Sequence, residues 1–506
     1  MADWPNNEPQ DSNSPAFLLF LFLNNQTDPT HRGVIMKAKD LVALGIPQDC
    51  IGLAMEALRA HGIINKPEEA RQTLSDLLLS PDKFSQHPGF GELANAVLTS
   101  QARRLEAEQT WARNPLGNRG FEQWGEKDDP ASIQQMRDAC ELPVSVQGAL
   151  MPDNHLGYGL PIGGVLATYN SVIPYGVGVD IACRMMCTIT DLPVKLLADA
   201  YSPTVDPLIR AITAGTVFGV GGTQKVKPTH PVMDMDWNIT SVTRAMRDKA
   251  WNQLGTSGSG NHFVEFGIVT LQQAELGLEA GQYVALLSHS GSRGAGAAVC
   301  KTYSDIAMSR LPREFERFKN LSWLSLDSEA GQEYWQAMNL MGEYASANHH
   351  TIHERVLELA GAESLVVIEN HHNFAWKEEH GGQELIVHRK GATPAGEGVL
   401  GVIPGSMADP AFIVRGKGKE SSLRSASHGA GRRMSRTQAI KTLNWPRWKA
   451  QLKERGVRVL SCGLDEVPEV YKSIHEVMEH QRDLVEIVAR FDPKLVKMSD
   501  DGKAED

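Results

Sequence analysis

Short apolar runs, each bounded by glycine, asparagine or serine and each followed closely by a histidine, limit this chain more than any other feature. Val284 to Leu287 leads to His289, Leu365 to Ile368 leads to His371-His372, and Leu385 to Val387 leads to His388-Arg389-Lys390. Runs of this length and composition read as buried strands, and Val399 to Ile403 has the same texture. Polar chemistry then sits where strands end, and the outgoing loops are expected to bring these residues together. From about residue 120 the reading is a mixed sheet system with helices over Glu329 to Ala360 and Val467 to Arg490, and with no clear internal repeat.

The segment before it reads differently. Residues 34 to about 112 are helical in pattern, with Ala38, Leu41 and Leu44, then Ile51 to Leu58, then Pro67-Glu68-Glu69 opening a stretch that carries Leu74, Leu77 and Leu78. No cluster of ligand-type residues falls there, so a packing or interaction module is expected. Pro115, Gly117 and Gly120 mark a turn-rich connection. The expected class is therefore α+β, with a strand (Ala16 to Leu23) and small helical module over 1–115, a mixed α/β body over 120–498, and a polar tail over 499–506.

A formal charge of −11 argues against a protein that coats nucleic acid non-specifically, although a local basic groove is compatible with an acidic body. Hydrophobic residues at 42% and charged residues at 22% leave little room for long disorder. The Ala16 to Leu23 run is too short for a membrane span and follows no basic segment. Six scattered cysteines without a secretory segment fit a reducing cytoplasm and leave thiols available for metal.

Two constellations carry chemistry. The first joins Asp180 and Cys183 in Val179-Asp180-Ile181-Ala182-Cys183 to histidines with small polar neighbours, in Asn261-His262-Phe263-Val264-Glu265, Ser288-His289-Ser290-Gly291-Ser292-Arg293 and His371-His372-Asn373. A lone Asp/Cys pair or a lone histidine is more often structural. Together they form a donor set for two divalent ions if the sulfur bridges them, with Mn²⁺ and Zn²⁺ both chemically suitable. Paired metals serve phosphoryl or nucleotidyl transfer by stabilising charge on attacking and leaving oxygens.

The second constellation runs from Ser425 to Arg436 as Ser-Ala-Ser-His-Gly-Ala-Gly-Arg-Arg-Met-Ser-Arg. Its glycines let backbone N–H groups approach a phosphate, Arg432 and Arg436 can neutralise oxyanions, and a neutral His428 can attack phosphorus. The plainer alternative is a solvated basic loop. His388-Arg389-Lys390 and Arg415-Gly416-Lys417-Gly418-Lys419 extend the basic character; they suit either a phosphate groove or a solvated face, the latter favoured for Lys417 and Lys419.

Taken with Met151-Pro152-Asp153-Asn154-His155 and Pro161-Ile162-Gly163-Gly164-Val165, these motifs stand in an order that resembles the RtcB RNA ligase family over roughly 120–498. The resemblance implies Asp180, Cys183, His262, His289 and His372 as ligands of two Mn²⁺ ions, with Cys183 bridging. It implies His428 as the nucleophile that accepts GMP from GTP. It places Asn261, Phe263, Glu265, Ser406, His428, Gly429, Ala430, Gly431, Tyr471 and Lys497 at the guanylate, and Arg293, Lys390, Arg432 and Arg436 at RNA phosphates. The implied reaction joins RNA 2′,3′-cyclic phosphate or 3′-phosphate ends to 5′-hydroxyl ends, in RNA repair or tRNA splicing, in the cytoplasm and away from membranes.

Departures from the family pattern are also legible. Ala182-Cys183-Arg184-Met185 replaces the usual Gly-Cys-Gly-Met, which puts a cation next to the thiolate and is expected either to lower the Cys183 pKa or to contact a phosphate. Pro394 stands where an arginine is common. These changes keep open a metal-dependent end-processing phosphodiesterase without ligation, whereas a purely RNA-binding protein fits poorly with retention of every ligand and of His428.

Overall fold

The computed structural model describes residues 35–110, 114–127 and 129–500, side chains of residues 48 and 103–110 excepted. The expected strand at Ala16 to Leu23 and most of the polar tail lie outside them. The chain divides into two compact units, with the boundary between Glu106 and Ala107. The first is helical, with helices Ile51–Ala60 and Pro67–Leu79 and most of Gly91–Thr110 among its elements, and it closes over Leu41, Leu58, Leu74, Leu77, Leu93 and Val97. Pro67 opens its helix at the first turn, where a missing N–H costs nothing, and Glu68 and Glu69 face the positive helix end.

The second unit is α+β. An eight-stranded sheet orders its strands as Ser364–His371, Arg184–Thr190, Gly281–Ser290, Phe263–Leu271, Val485–Met498, Ala411–Gly416 and Leu400–Ile403, with Arg458–Ser461 added parallel to Val485–Met498. A five-stranded sheet runs Phe121–Gln123, Ser145–His155, Ile162–Thr168, Gln383–Lys390 and Phe374–His380. Of the apolar runs singled out in the sequence, Val284 to Leu287, Leu365 to Ile368 and Leu385 to Val387 lie in these sheets, and Val399 to Ile403 does so from Leu400 on.

The helix expected over Glu329 to Ala360 spans those residues. The Ser328 hydroxyl caps it by accepting from the Gly331 N–H, and Gly361 at φ 64° ends it in the left-handed region that favours glycine. The helix expected over Val467 to Arg490 is a correction: only Ile474–His480 is α-helical, and Val485–Met498 is the longest strand of the fold. Val485, Ala489, Phe491 and Leu495 are buried while Glu486 and Arg490 face solvent, a period-two pattern that 3.6-residue spacing cannot satisfy. Pro493 sits at a register shift, where a strand tolerates a missing donor.

His388 and Arg389 also depart from the groove reading. They lie inside the Gln383–Lys390 strand and are fully buried. His388 Nε2 accepts from the Ile173 N–H at 2.9 Å and Nδ1 donates to the Leu166 carbonyl, so the neutral ring fills both roles. Arg389 forms a bidentate pair with Glu378, at 2.6 and 3.0 Å. Lys417 and Lys419 are on the surface, donating to the Arg482 carbonyl and facing Asp483.

Burial lowers the pKa of His388 to about 4 and of His353, on the long helix, to about 3. A base whose pKa is depressed by folding contributes stability above its unfolded pKa of about 6.5, and that contribution drains as the pH falls towards the folded value. With metal chelated, the melting temperature should fall steadily between pH 7 and 5, each ring contributing up to about 1.4 kcal/mol per pH unit. His388→Gln should flatten that slope; an unchanged slope would refute the assignment.

Candidate active site

Four neighbouring strands of the large sheet deliver the ligand-type residues to one sheet end. Arg184 pairs with both His371 and Ser290, and Phe263 pairs with His289. Cys183 and His262 therefore immediately precede their strands, His289 is the penultimate residue of its own, and His372 immediately follows its own. Antiparallel strands spaced about 4.8 Å apart bring alternate starts and ends together. The expectation of outgoing loops holds for His372 alone among these four.

The side chains converge tightly. Cys183 Sγ lies 3.4 Å from His262 Nε2 and 3.1 Å from His289 Nε2, and His289 Nε2 lies 3.1 Å from His372 Nε2. Asp180 Oδ2 is 3.1 Å from His262 Nε2. Two triads result, Asp180–Cys183–His262 and Cys183–His289–His372, sharing the one sulfur. All five side chains are buried. A tight turn in which the Cys183 N–H donates to the Asp180 carbonyl places the first pair, with Ala182 at φ 56° in a strained left-handed conformation. At Gly291 a Cβ would stand 2.1 Å from Asp180 Oδ2, so no larger residue fits.

Electrostatics suit cation binding. Burial pushes the Asp180 carboxyl up, but His262, Arg293 and Cys183 together hold it down at about 2. Burial, reinforced by His262 and His428, depresses His289 to about 3, and burial takes His372 well below the usual imidazole range. A carboxylate and neutral imidazoles are the forms that ligate metal. Asp180 Oδ2 is buried and makes no well-aimed hydrogen bond, and its neighbour at 3.1 Å, His262 Nε2, is itself a metal-ligating atom, so one cation would satisfy both. The donor set fits two metal ions bridged by sulfur.

His428 stands beside this centre, its ring centroid 4.8 Å from that of His372. Asp153 Oδ2 accepts from His428 Nδ1 at 2.7 Å and from the backbone N–H groups of His428 and Gly429 at 3.1 and 3.3 Å. The Nδ1–H tautomer is thereby fixed and the Nε2 lone pair left for other work. Gly431, at φ 73°, passes so close that a Cβ would lie 2.0 Å from the Asp153 carbonyl oxygen. Asp153 belongs to a motif that the sequence shows, yet its role there is invisible because 275 residues separate it from His428.

Both centres open on one cleft of about 580 Å³, a volume suited to a nucleotide-sized ligand. Its wall includes Asn261, Phe263, Glu265, Ser406, Gly429, Ala430, Gly431 and Tyr471, together with Lys390, Arg432 and Arg436. Burial holds the Glu265 carboxyl well above the usual range. Ser406 donates to Asp409 at 2.5 Å. Arg432 and Arg436 face Asp465 and Glu466, two buried acids absent from the sequence reading, and Tyr471 donates to Glu466. Lys390 donates to the carbonyls of Tyr158 and Tyr175.

Three residues stand elsewhere. Arg293 is buried behind His262, with Nη1 3.2 Å from His262 Nδ1, and does not line the cleft. Lys497 lines a neighbouring recess with Phe218 and donates to Ser461. Arg184 alternates with Cys183 and Met185, which face the cleft, and points away to pair with Glu369 at 3.2 Å and the Gly342 carbonyl at 3.1 Å. The expected phosphate contact of Arg184 is thus not what its side chain makes. The remaining cysteines are buried, and burial raises Cys140 and Cys187 to about 12.

An α+β unit that gathers two metal-competent triads beside an oriented histidine is compatible with metal binding at an active site. A family model described as tRNA-splicing ligase RtcB matches residues 135–498, and the chain belongs to the RtcB family. The RNA-splicing ligase RtcB of Escherichia coli (strain K12) is 32% identical over 385 residues, covering 70% of this chain and 91% of its own length. The tRNA-splicing ligase RtcB of Nanoarchaeum equitans is 33% identical over 443 residues (73% and 92%), and that of Archaeoglobus fulgidus 30% over 447 (73% and 90%). No helix among the described residues is long and apolar enough to cross a membrane.

Proposed function

We propose that this protein is an RNA ligase of RNA repair or tRNA splicing that uses Mn²⁺ and GTP and joins RNA 3′-phosphate or 2′,3′-cyclic phosphate ends to 5′-hydroxyl ends through guanylylated His428. The observation that carries the reading is the juxtaposition of an Asp153-held His428 with two triads sharing Cys183. The residues 120–498 carry this activity, and the helical segment before them is a packing or interaction module.

His428 Nε2 attacks the α-phosphorus of GTP, a P–N bond forms and pyrophosphate leaves. Asp153 keeps the Nδ1 proton in place and stabilises the cationic ring as the bond forms. The RNA 3′-phosphate then displaces His428 and takes the GMP, and the 5′-hydroxyl attacks the activated phosphorus and releases GMP. A cyclic end is hydrolysed first. Asp180, Cys183, His262, His289 and His372 would hold two Mn²⁺ ions, which neutralise phosphoryl charge when bound. Asn261, Phe263, Glu265, Ser406, Gly429, Ala430, Gly431 and Tyr471 surround the guanylate. Lys390, Arg432 and Arg436 line the route for RNA phosphates, while Arg293 acts by orienting His262. Lys497 reaches the nucleotide only if its side chain leaves Ser461.

The test is incubation of two synthetic RNAs, one ending in a 3′-phosphate and one beginning with a 5′-hydroxyl, with Mn²⁺ and GTP. A joined product that depends on both additions is expected. Opening of a 2′,3′-cyclic phosphate without joining would instead favour the end-processing reading.

A further inference from the structure

We propose that the basic recess next to the main cleft is a phosphodiester subsite, which grips an RNA strand as it leaves the reaction centre; this rests on the RNA ligase reading above. The recess measures about 390 Å³ and is lined by Arg433, Arg447, Arg455, Lys472 and Trp448 among others. Asp409, Arg433, Tyr471 and Lys472 line both it and the main cleft, so the two are continuous. Four fixed cations face two carboxylates, Asp409 and Glu469, in a chain whose overall charge is −11. That local reversal of sign is what a polyanion would be drawn to.

The contacts that the three arginines make are weak ones to exchange. Arg447 lies 3.6 Å from Glu469, Arg455 lies 3.0 Å from Asp409, and Arg433 donates to the Glu469 backbone carbonyl. Pairs at such an exposed surface are worth little, whereas a phosphate accepts bidentate bonds from a guanidinium. Trp448 supplies an independent pointer. Its ring is buried against Ala439, Val467 and Val470, yet its indole Nε1 is a buried donor with no acceptor among the described residues. An indole N–H can only donate, and a buried donor left unpaired is costly, so this site has an unmet need for an acceptor; Glu469 Oε2 in the same lining is likewise buried without a hydrogen bond.

Arg447 and Trp448 are consecutive in the first turns of the helix Trp445–Glu454, whose positive end adds to the field on the same side. The Asn444 side chain caps that end by accepting from the Arg447 N–H, which leaves the guanidinium and indole, rather than backbone groups, to meet the ligand. The ligand is a phosphodiester of either the strand carrying the 3′-phosphate or the strand carrying the 5′-hydroxyl.

The experiment compares the full chain with Arg447→Glu and Trp448→Phe, using RNAs of ten nucleotides and versions in which either strand is cut to a dinucleotide. Arg447→Glu should raise Kd and KM for long RNA about ten-fold and lower the salt slope of binding by about one. It should leave kcat and RNA-free guanylylation of His428 unchanged, and Trp448→Phe should act in the same direction about three-fold. The defect should vanish when one particular strand is shortened, which names the strand that occupies the recess. An unchanged Kd in Arg447→Glu overturns the proposal whether or not the wild type joins RNA. A wild type that binds through Arg447 but joins nothing keeps the subsite and removes the ligase reading.

Discussion

Replacing Cys183 by alanine is expected to abolish both metal-binding triads together. Its sulfur is the one donor common to Asp180–Cys183–His262 and Cys183–His289–His372, within 3.4 Å of His262 Nε2 and 3.1 Å of His289 Nε2. Bound Mn²⁺, read by elemental analysis after dialysis, should fall from about two per chain to near zero. His372→Ala, which touches a single triad, should lose about one. Joining activity in Cys183→Ala should drop at least about 10³-fold, since metal-borne charge stabilisation is worth several kcal/mol. Cys183 occupies little volume, so melting in the presence of a chelator should change little. Full retention of two ions would show that the sulfur is a buried thiol and no bridge.

Asp153→Asn is expected to slow guanylylation of His428 by about 10²–10⁴-fold while the protein remains folded. The carboxylate oxygen that holds Nδ1 at 2.7 Å also takes two backbone N–H groups. An asparagine oxygen can still satisfy those donors, but it carries no charge to stabilise the ring as Nε2 forms a bond to phosphorus. GTP binding should be retained, which separates a defect in chemistry from one in the pocket. A rate within about three-fold of wild type would leave Asp153 as a structural brace only.

Much of this site was legible because strand-forming runs and the ligand-type residues at or beside their ends are local signals. Asp180, Cys183, His262, His289 and His372 come together because four antiparallel strands share one end, and the sequence shows each strand separately. The long helix Glu329–Ala360 was legible for the same reason: its pattern, cap and terminating glycine are contiguous. What stayed hidden depends on partners far away. Nothing near His428 announces Asp153, and nothing near Arg436 announces Asp465 and Glu466.

Orientation was the other loss. Arg184 reads as a cation at the metal centre, but strand alternation turns it to Glu369 while Cys183 faces the cleft. His388 and Arg389 read as groove residues, yet they sit within a strand whose partners, Ile173, Leu166 and Glu378, are supplied by packing. The Val467 to Arg490 segment misled because Ile474, Val477 and Met478 keep helical spacing for two turns before the chain enters the central strand at Val485.

The most direct test of the account is intact and peptide mass spectrometry of the purified protein after incubation with Mn²⁺ and GTP, beside a His428→Ala variant. The account predicts a GMP-sized, acid-labile adduct that maps to His428 and is absent from the variant. A protein that binds Mn²⁺ and GTP but carries no adduct, or carries it on another residue, would contradict it.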